Sequence, residues 1–78
     1  MSLSDEYCLM AAVRYQLPRH TYGSSLVADA VVARAKELSE NLRGVLIRDI
    51  QHAYQTGQIS PIDLPEWKRV LDALEAEL

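Results

Sequence analysis

Apolar residues along this chain return at steps of three and four, the rhythm of an amphipathic helix, in four segments separated by three points of punctuation. The first segment opens with Ser2 and Ser4, either able to cap a helix, and Asp5 and Glu6 then complement the positive end of its dipole. Tyr7, Met10, Ala11, Val13, Arg14 and Leu17 follow as a stripe. It stops at Pro18, which disfavours helical geometry in the residue before it. Pro18 to Gly23 reads as a polar loop.

Ser24 or Ser25 is expected to cap the second segment, whose stripe is Leu26, Val27, Ala30, Val31, Arg34 and Leu38. Val31 and Val32 lower helix propensity slightly, and the alanines at 28, 30, 33 and 35 restore it. Ser39 supplies the third cap, with Glu40 favourable in the first turn. Leu42, Val45, Leu46, Asp49, Ile50, Ala53 and Tyr54 then lead to Gly57 as a C-terminal stop. Gly44, inside that helix, costs about 1 kcal/mol relative to alanine, so a close helix contact is expected there.

The sharpest start signal is Asp63 with Glu66, a D-x-x-E variant of the capping box, with Ile62 set to staple onto Trp67. Trp67, Val70, Leu71, Leu74 and Leu78 make a clean apolar face beyond it. The pattern predicts an all-α chain, a compact bundle of about four short helices, roughly 3–17, 24–38, 40–56 and 64–78. Short connections lead us to expect consecutive helices to pack on one another.

Length and composition bound this further. Seventy-eight residues hold one domain, 1–78, and a chain this short buries a modest fraction of its surface. An apolar share of 49% can build a core and argues against disorder. Cys8 is the only cysteine, so no internal disulfide forms and a reducing, cytoplasmic setting is expected. Asp5 and Glu6 stand where a signal peptide would be basic, and no apolar run approaches the roughly 18 residues of a membrane span. The net charge is −3, and residues 63–78 carry five acids against Lys68 and Arg69, so the rest of the chain balances to zero. An acidic balance is unfavourable for generic nucleic-acid binding, which needs a surplus of Lys and Arg.

Candidate chemistry is sparse. Cys8, His20 and His52 do not fall at metal-ligand spacings, so no metal or cofactor is expected. Cys8 lacks an adjacent histidine and reads as a small buried hydrophobe, and the pairs Asp5–Glu6 and Glu75–Glu77 read as solvated surface. Gly23, Gly44 and Gly57 are scattered singly, without a phosphate-loop pattern. An enzyme is therefore not the expectation; binding another macromolecule is.

The densest set of recognition-type residues runs from Arg14 to Tyr22 around a rigid proline, and Arg and Tyr dominate interface hot spots. Arg14, Arg19, His20, Thr21 and Tyr22 are the first candidates for partner contact. The alternative is that Tyr15 and Tyr22 pack the top of the core while Arg14 and Arg19 pair with the acidic last helix. Arg43 and Arg48, with Ile47 and Gln51 beside them, are the second candidates. The tight connection before them also leaves open a helix-turn-helix whose third helix reads DNA. A homodimer through Val32, Ile47 and Ile59 is a further alternative.

The Tyr15, Leu17, Arg19, Thr21, Tyr22 corner, the Leu38-Ser39-Glu40-Asn41-Leu42-Arg43 turn, the Ile47-Arg48-Asp49-Ile50 stretch and the late Trp67-Lys68-Arg69-Val70-Leu71 resemble a family of small phage and prophage accessory proteins. The pieces span positions 13 to 71, and Pro18 stands where the family pattern has glycine. The resemblance implies an anti-defence inhibitor, of which anti-CRISPR proteins are the best-known class. Its partner would be a host protein or ribonucleoprotein complex in the host cytoplasm.

Overall fold

In the computed structural model, which describes residues 6–19 and 22–78 and leaves aside the side chains of Tyr22 and Gly23, the three- and four-residue rhythm becomes four helices. They are α1 (Glu6–Gln16), α2 (Tyr22–Arg34), α3 (Glu40–Gln55) and α4 (Leu64–Glu75), and no strand occurs among the described residues. No helix is long and apolar enough to cross a membrane.

Local chemistry sets the ends. Ser39 caps α3 as expected: its extended backbone places Oγ to accept from the Leu42 amide at 3.2 Å. At the other end Gly57 takes φ +70°. The amides of Gln58 and Gly57 turn back to the carbonyls of Ala53 and Tyr54, the crossed pair of a Schellman stop.

Two expected starts differ. α2 begins at Tyr22, ahead of Ser24 and Ser25, so neither serine is its cap. Ser24 is buried, and its hydroxyl donates to the Arg19 carbonyl at 3.0 Å and so ties the α1–α2 corner. Asp63 precedes α4 in a helical conformation rather than the extended one of a cap and makes no side-chain cap bond, and Pro65 in the first turn has no amide to offer it. Glu66 turns to Arg69 instead of back to the cap, and Ile62 stays 72% exposed, so no staple forms on Trp67. Ser2, Ser4 and Asp5 lie outside the described residues.

The core takes one edge of each helix: Leu9, Val13 and Leu17; Val27, Ala28 and Val31; Leu42, Leu46, Ile50 and Ala53; Trp67, Val70 and Leu74. Ala35, Leu38 and Ile59 close it from the connections. Burying each large side chain contributes about 1.5–3 kcal/mol. On α1 the buried edge is the four-step series from Leu9, which turns Tyr7, Ala11 and Arg14 outward although they share the stripe's spacing. Cys8 is only half-buried. Ile59 is buried in the core, and Val32 and Ile47 are half-buried against the core cluster. Gly44 has no neighbouring element within 4 Å of where a Cβ would sit, so the close contact expected there is absent.

The helices form a ring in the order α1, α2, α4, α3. Consecutive helices therefore pack together except for α2 and α3, which lie across the ring from one another. α1 and α3 run in the same direction, since Glu6 meets Ser39 near their starts and Arg14 meets Asp49 further along. α4 crosses α3 steeply: Gln51 reaches Glu75 at the end of α4, whereas Tyr54, one turn on, reaches Leu64 at its beginning. The result is a slab of 29 × 27 × 16 Å.

Candidate partner-binding surface

Parallel pairing of α1 and α3 brings two of the expected arginines to one place. Arg14 donates from Nε to Asp49 at 2.8 Å, which fixes the guanidinium over α3 while its side chain stays 54% exposed. Arg48, one residue before Asp49, lines the same cleft of about 410 Å³ together with Leu17, Pro18, His52 and Gln58. His52 was not among the expected site residues; its signal in the sequence is its place one turn after Arg48 on the same helix face.

At the end of α1, Arg19 lies 4.0 Å over the Tyr15 ring and donates to the Tyr15 carbonyl at 2.5 Å. Both side chains are exposed, so the stacked pair is a preformed cationic and aromatic step beside the cleft. Tyr15 therefore does not pack the core, and Arg14 and Arg19 do not pair with α4. His20 and Thr21 lie outside the described residues, and of Tyr22 only the helical backbone is described.

Arg43 plays another part. Its guanidinium turns into the α2–α3 connection and donates to the carbonyls of Leu38 and Ala35 there. Its Nε is buried without a partner among the described residues, as is Trp67 Nε1. Arg43 is thus half-buried and tied to the α2–α3 connection.

Two further clefts flank α3. One of about 260 Å³ lies towards the starts of α1 and α3, lined by Glu6, Tyr7, Met10, Ser39, Asn41, Leu42 and Val45. The other, about 440 Å³, lies between α3 and α4, lined by Gln51, Tyr54, Gln55, Lys68, Leu71 and Asp72. There the Tyr54 hydroxyl donates to the Leu64 carbonyl at 2.7 Å, and burial, helped by the negative charge of Asp72, pushes its pKa above 10.0. On the α2–α4 side Arg69 bridges Asp29 and Glu66, which raises its pKa further.

Asp49 is paired with Arg14 and Glu6 accepts from Ser39, while on α4 Asp72 is exposed and Glu75 accepts from Gln51. Among the described residues no three His, Cys, Asp or Glu side chains form a metal-binding group. Comparison of the chain with protein-family models, curated proteins and solved structures finds no match.

Proposed function

We propose that this chain acts by occlusion, as a phage-derived inhibitor that docks on a host defence complex in the host cytoplasm and blocks target access to a nuclease or guide complex. The observation that carries the reading is Arg14 held by Asp49 beside Arg48 on an open cleft with an apolar edge at Leu17 and Pro18. A guanidinium fixed before binding loses little entropy on engaging a carboxylate or phosphate, and its planar fork gives direction as well as charge. The Tyr15–Arg19 stack extends the surface with residue types that dominate interface energies. The resemblance of the Tyr15–Tyr22 corner and the Ile47–Ile50 stretch to phage accessory proteins supports the choice of a defence complex as target.

Phage plating on defended hosts, with and without the protein, tests this. Restored plating against at least one defence type is the expected outcome; unchanged protection across several types contradicts it.

One observation favours a second reading, a small DNA-binding regulator. Asn41, Arg48, Gln51 and Gln55 are exposed at helical spacing along α3 and are residue types that read base edges. A helix-turn-helix needs its two helices packed together, however, and α2 lies across the ring from α3. Gel-shift titration at two salt concentrations separates the readings, because phosphate contact brings a steep salt dependence.

A further inference from the structure

The cleft lined by Arg14, Arg48, Asp49, His52 and Gln58 gathers hydrogen-bond donors around one acid that is already engaged. Arg14 comes from α1, Arg48 and His52 stand one turn apart on α3, and Gln58 follows the Gly57 stop, so the donors arrive from three segments of the chain. Arg14, Arg48, His52 and Gln58 are all exposed. Pro18, exposed as well, gives the rim an apolar edge.

We infer that this cleft binds the terminal phosphate of a small phosphomonoester. Three observations support that ligand. The first is the supply of donors. Arg14 bonds to Asp49 through Nε, which leaves its Nη groups, and the Arg48 side chain makes no hydrogen bond or ion pair among the described residues. His52 and Gln58 add a ring N–H and a side-chain amide. A planar carboxylate faces such donors along one plane, whereas the terminal oxygens of a phosphate point in several directions and suit donors from several sides.

The second is charge. Two arginines against Asp49 leave one positive charge in the cleft, and protonation of His52 adds another. That balance suits a phosphate monoester, which carries roughly −1.5 to −2 at neutral pH. A nucleic-acid strand brings many more charges than the cleft meets, and it faces a chain of net charge −3. The third is size and order. At about 410 Å³ the cleft falls in the range of small-molecule sites, roughly 300–1,000 Å³. Asp49 holds Arg14 in place before a ligand arrives, so less rotamer freedom is lost on binding.

This inference goes beyond the occlusive reading, with which it shares the cleft, and its test needs no defence system. Phenyl phosphate, benzoate and phenol are each titrated into the ¹⁵N-labelled chain and followed by amide signals. Phenyl phosphate is expected to move the signals of Arg14, Arg48, His52 and Gln58 to saturation and to bind about tenfold tighter than benzoate, while phenol leaves them in place. Arg48→Gln should weaken phenyl phosphate about tenfold at an unchanged thermal midpoint. Lys68→Gln, which removes a cation from the α3–α4 cleft, should change it less than about twofold. No saturable shift at these residues, benzoate binding as tightly, tighter binding by a single-stranded oligonucleotide without terminal phosphates, or equal losses in the two variants would each overturn the inference. If phenyl phosphate fails while plating is still restored, the occlusive function stands and the phosphate site falls; saturable binding without restored plating leaves the site and removes the defence target.

Discussion

Glu6, the first described residue of α1, closes the start of α3: its two carboxylate oxygens accept from the Ser39 amide at 2.9 Å and the Ser39 hydroxyl at 3.3 Å. The carboxylate thus completes a cap on another helix, and its negative charge lies at the positive end of α3. Glu6→Ala should lower stability by about 1 kcal/mol, in the range of a lost cap. Glu40→Ala, on the exposed first turn of the same helix, should change it by less than about 0.5 kcal/mol. Urea titration compares the two, and equal losses would mean that the Glu6–Ser39 link is not formed in solution.

The two glycines on and after α3 should respond in opposite directions. Gly44 has open space where a Cβ would go, so Gly44→Ala should stabilise by roughly 0.5–1 kcal/mol. For a domain of this size that raises the thermal midpoint by a few degrees. Gly57 takes φ +70°, which alanine reaches only with strain, so Gly57→Ala should lose about 1 kcal/mol or more. A destabilised Gly44→Ala would mean that something packs over that position.

Arg43 and Arg48 differ in kind although both stand out in the sequence as exposed cations on one helix. Arg43→Ala removes a charged donor from the carbonyls of Leu38 and Ala35, and should cost roughly 1–3 kcal/mol. Arg48→Ala should leave stability within about 0.5 kcal/mol. Thermal melts of the two variants check this, and matched losses would contradict the division between scaffold and surface.

Tyr54 gives a signature at alkaline pH. Burial, with Asp72 reinforcing it, holds its pKa above 10.0 in the folded chain. The unfolded chain therefore binds fewer protons above pH 10, and stability falls as pH rises past that point while being fully present below it. Tyr54→Phe loses the bond to Leu64, about 1 kcal/mol near neutrality, and should show a shallower decline between pH 10 and 11. Parallel slopes for the two proteins would refute this role for Tyr54.

The helices were legible because burial imposes the three- and four-residue rhythm on the chain itself, and Ser39 and Gly57 mark their ends through local backbone chemistry. Non-local competition accounts for the rest. Asp63 and Glu66 have the spacing of a capping box, but Arg69 stands on the next turn and takes Glu66, bridging it to Asp29 on α2. Periodicity could not assign Arg43 to the connection, since its acceptors are the carbonyls of Ala35 and Leu38, which follow the end of α2 at Arg34. Of the candidate surface, Arg14 and Arg48 were visible as residue types. Their meeting depends on α3 lying parallel to α1 and across from α2, which no local spacing encodes.

The most direct test is a charge reversal on each side of α3. Arg48→Glu alters the α1/α3 cleft, and Lys68→Glu alters the cleft between α3 and α4, both on exposed side chains. In a plating assay where the wild-type chain restores phage growth on a defended host, Arg48→Glu should abolish the effect and Lys68→Glu should retain it, with both proteins folded to the same thermal midpoint. Full activity of Arg48→Glu, or its loss only in Lys68→Glu, would contradict the account.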